Sequence, residues 1–363
     1  MTTNGQDLII NRADLADARL VPALHPDPGP GEVLLRIDAL ALTANTVTYG
    51  VASESLGYWN FFPCDRPGFG RVPAWGFADV VASGDPGVAV GTRLYGFLPM
   101  STHLMIEADR VGPRGLIDAA PHRQKMAPIY NAYQTCAADP AWSAEAEARI
   151  ALFRPLFTTS FLLDDFHRRN AMFGARMLIL SSASSKTALG LAALIAADKP
   201  EGLTLVGLTS ARNRAFVEGL GLHDRVLGYD AVQTLPIAPA AYVDFAGTGD
   251  LLMAIHRHFG DLMRHTSQVG LTHWQEAALR VPGLPGPRPE FFFAPAYAAD
   301  RLKDWGNAGF QTRLGTAWET FIGTTGWLRV VHASGPDAAR EAWVAAHAGR
   351  IDPAEGVMIS LQD

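Results

Sequence analysis

Two stretches of the chain carry side chains whose types and spacing suit chemistry. The first is Ser181-Ser182-Ala183-Ser184-Ser185-Lys186-Thr187, a run of small, mostly hydroxyl residues closed by a lysine and a threonine. Small hydroxyl residues and backbone amides donate hydrogen bonds to phosphate oxygens, and a cation at a helix start is disfavoured by the helix dipole unless an anion sits there. Lysine occurs only at positions 125, 186, 199 and 303, so Lys186 stands out; its plain alternative is a solvated surface residue. The second stretch runs from Asn45 through Thr48 and Tyr49 to the aromatic loop Leu56-Gly57-Tyr58-Trp59-Asn60-Phe61-Phe62. A tyrosine hydroxyl or an asparagine amide stabilises negative charge on a substrate oxygen, and a tyrosine can also return a proton. Clustered aromatics equally serve to close a small barrel, and both readings stand for Tyr58 and Trp59.

The elements around the serine run are those that present a turn to phosphate. Met177 to Leu180 is a short apolar run suited to a buried parallel strand. Lys186 to Asp198 is rich in Ala and Leu and favours helix, and after a Pro200-Glu201-Gly202 break Leu203 to Thr209 reads as a second strand. Strand, turn, helix and strand in this order form the unit that holds a dinucleotide at the helix N-terminus. The usual glycines are missing: none occurs in the turn before Gly190. The second strand ends in Thr209-Ser210-Ala211-Arg212-Asn213, and no Asp or Glu lies between Glu201 and Glu218. An acidic residue there would favour a free ribose hydroxyl, whereas Arg and hydroxyls accommodate a 2′-phosphate, so this ending favours NADP(H) over NAD(H). Thr209 or Ser210 as a helix N-cap followed by an exposed arginine is the alternative.

Composition narrows the classes. A chain of 363 residues with 48% apolar content has the length for two domains and a large core. A net charge of −6, spread along the chain, gives no nucleic-acid surface. No apolar run reaches the roughly 18 residues of a membrane span, and the N-terminus lacks the pattern of a secretion signal. Cys64 and Cys136 are the only cysteines, too few for a disulfide framework or a zinc-finger spacing. These features point to a soluble, cytoplasmic protein. Short strands punctuated by Gly and Pro from Asp7 to Ala108, among them Glu32 to Leu42, suggest a β-barrel-like domain. From Asp118 to Phe173 the pattern reads as helical. Strands and helices then alternate to about Pro295, two helices follow, and strand, helix and strand close the chain.

Taken in order, these stretches resemble the medium-chain dehydrogenase/reductase superfamily, in its zinc-free quinone reductase and enoyl reductase branch. Pro30-Gly31-Glu32-Val33-Leu34-Leu35-Arg36 is similar to the opening strand of the GroES-like domain. Val90-Gly91-Thr92-Arg93-Leu94-Tyr95-Gly96 is similar to a second stretch of that domain, and Asp244-Phe245-Ala246-Gly247 to the fourth-strand D-x-x-G. Ser267-Gln268-Val269-Gly270 resembles the fifth strand, which faces the nicotinamide. The resemblance covers nearly the whole chain. It implies an α/β architecture: a GroES-like β-barrel catalytic domain of residues 1–155 and 320–363, and a Rossmann-type doubly wound parallel sheet, 156–319, binding NADP(H). Where zinc members carry Cys and His ligands, this chain has Thr43 or Ala44 and Trp75-Gly76-Phe77, and the four-cysteine lobe is missing, so no metal is expected.

The resemblance also implies roles. Asn45 falls at the active-site mouth, Tyr58 lies where enoyl-thioester reductases carry a tyrosine, and Tyr49 is the reserve. Thr159 occupies the place of a cofactor-contacting threonine, with an N-cap as the alternative. Ser182, Ser184, Ser185, Lys186, Thr187, Thr209, Ser210, Arg212 and Asn213 would hold the cofactor, together with Phe245, Ala246 and Gly247 and with Val269 and Gly270 of the strand that faces the nicotinamide. Trp59, Tyr130 and Tyr133 would line the substrate pocket, the two tyrosines being otherwise ordinary helix contacts. The implied activity is NADPH-dependent, zinc-independent reduction of a polarised C=C, in an enone or enoyl thioester, or of a quinone. A ketone reductase and a non-catalytic NADP(H) sensor are the alternatives. The Phe291-Phe292-Phe293 segment after a Pro-rich loop points to an edge strand and a homodimer. The scattered histidines read as surface or core residues.

Overall fold

The computed structural model describes residues 2–51, 53–269 and 283–362. Its internal packing divides the chain into two units, Met1–Leu152 with Arg329–Asp363, and Phe153–Leu328.

The first unit is organised around Glu32–Leu42. The strand alternates between buried Val33, Leu35 and Ile37 and the more exposed Arg36 and Asp38 in its first half, then turns wholly apolar. It pairs with Pro73–Ser83, which leads through Arg93–Pro99, Ala132–Thr135, Gly115–Asp118 and His103–Gly112 back to Glu32–Leu42, closing a six-stranded barrel. Glu355–Ser360 and Arg329–Ser334 extend the sheet beyond the barrel, and Thr2–Asn11, Ala18–Pro26 and Phe69–Gly70 form a separate three-stranded sheet. The interior is apolar, with Leu35, Ile37, Phe61, Phe97 and Leu98 essentially inaccessible. A register shift between Ile37 and Ala39 brings the Ala39 carbonyl against Gly76, where a Cβ atom would overlap it. Glycine is required there by close backbone approach.

Two expectations are corrected in this unit. Asp118 to Ala146 is not helical: it holds the end of Gly115–Asp118, the strand Ala132–Thr135 and short single turns, and the long helix begins only at Glu147. Tyr133 therefore lies on a strand, and Tyr130 on the 3₁₀ turn Pro128–Tyr130. The polar stretch after Leu42 is a helix, Ala44–Val51. Thr43 and Thr46 cap it reciprocally: Thr46 N donates to Thr43 Oγ1 at 3.3 Å and Thr43 N donates to Thr46 Oγ1 at 3.1 Å, the reciprocal logic of a capping box.

The second unit is a parallel sheet in the order Arg225–Gly228, Thr204–Thr209, Met177–Leu180, Ala240–Asp244, Met263–Val269, Glu290–Phe292. Met177–Leu180 is central and buried at all four positions, as a strand covered on both faces must be. One face packs Met177, Ile179, Val206 and Leu208 against Leu251, Leu252 and Ile255 of the helix Gly249–Phe259. Lys186–Ala197 is the helix expected after the serine turn. Ala294–Ile322 is broken at Gly306, whose φ of 66° lies in the left-handed region, so the two helices expected there meet at a kink.

Candidate functional site

At the C-terminal end of Met177–Leu180 the chain turns through Ser181 to Ser185 into the helix Lys186–Ala197. Ser182 has a φ of 45°, the left-handed conformation that glycine normally supplies at a sharp turn. Holding a non-glycine residue there costs on the order of 1 kcal/mol, a strain characteristic of functional turns. Ser185 is the N-cap, its Oγ accepting from Ala188 N at 3.3 Å. The remaining first-turn amides of Lys186 and Thr187 point out of the helix N-terminus, as helix geometry requires. Lys186 is partly exposed at the first helical position.

The second-strand ending converges on the same turn. Asn213 Nδ2 donates to Ser184 Oγ at 2.9 Å, and Thr209 Oγ1 donates to it at 3.5 Å. Ser210 precedes the helix Ala211–Gly219 as its N-cap residue without a side-chain cap bond, and Arg212 is exposed in the first turn. Ser182 Oγ lies 3.5 Å from the Tyr229 hydroxyl, a partner that sequence reasoning missed.

Phe245, Ala246 and Gly247 follow Ala240–Asp244 and are bound back to it. Ser181 Oγ accepts from Phe245 N at 2.9 Å and from Ala246 N at 3.0 Å, while Asp244 Oδ1 accepts from Ala246 N at 3.1 Å and Gly247 N at 2.9 Å. Ser181 Oγ in turn donates to Asp244 Oδ1 at 3.1 Å. These amides are satisfied within the protein, so Ser181 and Asp244, both fully buried, form a hub fixing the strand ends around the turn. Val269 ends Met263–Val269 and is buried; Gly270 lies outside the described residues. Thr159 is inside the helix Glu147–Arg169, twelve residues past its start, so the N-cap alternative is corrected. Its neighbour Ser160 donates to the Thr187 carbonyl at 2.7 Å, tying this helix to the one that begins at the serine turn.

In the first unit the capped helix puts Asn45 and Tyr49 one turn apart on one face. Trp75 Nε1 donates to the Tyr49 hydroxyl at 3.2 Å. Burial first, and then the neighbouring Tyr130, push the Tyr49 pKa well above its ordinary value. Tyr58 packs on Tyr49 with ring centroids 4.8 Å apart, and its hydroxyl lies 3.2 Å from that of Tyr130. Burial, and next Tyr49, push Tyr58 up to about 12, while the hydrogen bond with Tyr130 opposes the rise. Burial first, and then Tyr58, push the Tyr130 pKa well above its ordinary value. Phe61, Phe97 and Trp75 complete this aromatic cluster.

Trp59 and Tyr133 have other partners. The Trp59 ring fills the space a Cβ at Gly70 would need, and it is 4% exposed. The Tyr133 hydroxyl donates to the Phe97 carbonyl at 3.0 Å and accepts from Arg123 Nη1 at 2.8 Å. Arg123, fully buried, pairs with Asp118 at 2.7 Å and holds Asn131 Oδ1 through Nε at 3.2 Å. Among the three expected pocket residues, Tyr130 shares the Tyr58 cluster. No group of three or more His, Cys, Asp or Glu with a metal-holding arrangement occurs among the described residues, and no helix of the described residues is long and apolar enough to cross a membrane.

A family model described as "Protein of unknown function (DUF2855)" matches residues 40–352. The chain belongs to the DUF2855 family. Curated protein sequences give no match. Solved structures match over the full length: CurA from Vibrio vulnificus in complex with NADPH, at a TM-score of 0.57 and 12% identity over 100% of both chains. A thermostable alcohol dehydrogenase from Pyrobaculum aerophilum matches at 0.55 and 15%, covering 99% of this chain and 100% of that one. The quinone oxidoreductase from Coxiella burnetii matches at 0.52 and 13%, covering 98% and 99%. At such identities the likeness is one of fold. This DUF2855 member shares their fold, a GroES-like barrel and a Rossmann-type parallel sheet.

Proposed function

We propose that this protein is an NADPH-dependent reductase of a polarised C=C, in an enone or enoyl thioester, or of a quinone, working without zinc. The observation that carries the reading is the join between the strained turn at Ser182 and the acid-free second-strand ending, made through Ser184, Thr209 and Asn213. A turn that opens onto a helix N-terminus with Lys186 fits a pyrophosphate. Ser182, Ser185, Lys186 and Thr187 would hold it, and Ser210, Arg212 and Asn213 would take the 2′-phosphate, which a carboxylate at that place would repel. The NADPH in the CurA complex and the quinone oxidoreductase among the structural relatives agree with this assignment.

Bound NADPH would supply a hydride to the substrate, and the protein would supply the proton and stabilise charge on the substrate oxygen. Tyr58 is the proton donor in this reading: with a pKa near 12 it keeps its proton at neutral pH. The Tyr130 hydroxyl lies 3.2 Å from that of Tyr58 and, by donating to its oxygen once the proton departs, would stabilise the charge left there. Trp75 orients Tyr49 beside Tyr58, and Asn45, one helical turn before Tyr49, would face the substrate oxygen. An edge strand with exposed Phe291 and Phe293 supports a homodimer in the same reading, which sedimentation at micromolar concentration tests.

The deciding experiment is calorimetric titration with NADPH and, separately, NADH, followed by NADPH oxidation with an enone, an enoyl thioester and a quinone. Tight NADPH and weak NADH binding with turnover of one of these is the expected result. Absence of binding by either nucleotide would end the reductase reading.

A further inference from the structure

Residues 119–131 join Gly115–Asp118 to Ala132–Thr135 and hold no regular structure beyond the single turns Pro121–Arg123 and Pro128–Tyr130. Asp118 N donates to the Asn131 carbonyl at 2.8 Å, so the two ends of the loop are tied together. Gln124, Lys125, Pro128 and Ile129 face solvent. A loop with closed ends and an exposed tip is packed by its own side chains. Here the packing residue is a charged one, Arg123, with no exposed surface.

Each nitrogen of the Arg123 fork is engaged. Nη1 donates to Asp118 Oδ2 at 2.7 Å and to the Tyr133 hydroxyl at 2.8 Å, Nε to Asn131 Oδ1 at 3.2 Å, and Nη2 to the Tyr130 carbonyl. Asn131 Nδ2 returns a bond to the Arg123 carbonyl at 2.9 Å. The guanidinium also lies over Phe61 and Phe62, 5.7 and 5.0 Å from their ring centroids. Stability alone does not call for a buried ion pair, because apolar residues of similar volume often serve as well or better. What a planar fork of donors adds is a fixed geometry for the groups around it.

The group so fixed is Tyr130. Arg123 holds its backbone through the carbonyl. The Tyr130 ring lies against Phe97 and Phe61, with centroids 4.7 and 5.2 Å apart. Phe61 rests on the guanidinium, and the Phe97 carbonyl receives the same Tyr133 hydroxyl to which Arg123 donates. The main chain of Tyr130 and both ring walls therefore lead back to one side chain. We propose that Arg123 is a positioning residue, locking the loop so that the Tyr130 hydroxyl stays within hydrogen-bonding reach of the Tyr58 hydroxyl. Being fully buried, it touches no substrate and acts through Tyr130. Its effect on turnover rests on the reductase reading; its hold on Tyr130 does not.

The test follows tyrosinate absorbance of the full chain from about pH 9 to 11, beside turnover with NADPH at neutral pH. Arg123→Met combined with Asp118→Asn removes the fork and leaves no buried charge unpaired; Asn at 118 can still accept from Glu107 N and Ala120 N. Asn131→Ala removes both bonds between residues 131 and 123, keeps the Arg123–Asp118 pair, and leaves the test standing if the first variant misfolds. Each is made with and without Tyr130→Phe. Wild-type Tyr130 keeps its proton over this range, because burial and then Tyr58 hold its pKa well above the ordinary value. Released into water, it should ionise near about pH 10 and add the absorbance of one tyrosine, which Tyr130→Phe abolishes. Tyr133, held up to about 12 by burial, stays silent. Turnover should fall about 10-fold, the scale of one hydrogen bond to a charged oxygen, with KM and NADPH affinity unchanged and no further loss in the Tyr130→Phe background. An unchanged titration in a folded variant, or an added signal or turnover loss that survives Tyr130→Phe, would overturn the assignment. If the wild-type protein reduces no enone, enoyl thioester or quinone, the reductase reading falls and the titration alone decides the role of Arg123.

Discussion

Acid should unfold this protein through histidines that are buried without charge, and His223 allows the effect to be measured. His223 precedes the strand Arg225–Gly228 and packs over Gly207, where a Cβ would come within 2.8 Å of its ring. Part of the residue meets solvent, but both ring nitrogens are buried and have no hydrogen-bond partner among the described residues. Desolvation pushes its pKa from 6.5 down to about 4, against a weaker upward pull from Asp224. Between these values the unfolded chain binds the proton and the folded one does not. The stability from the neutral ring is thus complete above pH 6.5 and lost as pH falls toward 4. Integrated from pH 7 to 5.5, one such group costs about 1 kcal/mol. His167, pushed down to about 3 by burial and then by His265, adds a similar amount. Replacing His223 with Leu removes one titrating group and leaves no hydrogen bond unmade. Urea unfolding of wild type and His223→Leu at pH 7 and 5.5 measures the difference: the variant should lose about 1 kcal/mol less over this interval. Equal losses in the two proteins would refute the account.

Other expectations concern the turn, the tyrosines and the barrel. Lys186→Ala should weaken NADPH binding by about 10-fold, the scale of one charge-assisted contact, and unchanged affinity in calorimetry would remove its phosphate role. Tyr58→Phe should lower turnover by about 100-fold or more without altering NADPH affinity; since the pKa of Tyr58 is near 12, wild-type activity should show no Tyr58-dependent fall between pH 7 and 10, and a fall there that Tyr58→Phe abolishes would contradict the assignment. Gly76→Ala places a methyl against the Ala39 carbonyl and should destabilise the barrel by about 2–4 kcal/mol, seen as a lower denaturation midpoint.

What the sequence determined by itself is what short-range pattern encodes. Met177–Leu180, the turn after it and Lys186–Ala197 were legible because a four-residue apolar run, small residues and an Ala/Leu helix each signal over a few positions. Glu32–Leu42 was legible from its alternation after a loop rich in Pro and Gly. Tertiary structure decided the rest. Ala132–Thr135 is four residues long and becomes a strand only between Arg93–Pro99 and Gly115–Asp118, so no local periodicity marks it, and the helical reading of that region failed. Ser181 meets Asp244 across 63 positions and Tyr58 meets Tyr130 across 72; neither pairing leaves a trace in spacing. The histidines were read as scattered because the contact of His167 and His265 with Ser267 exists only once helix and sheet are packed. Local backbone preference writes itself into neighbouring residues, whereas the partners of a buried polar group are set by which elements the folded chain brings together.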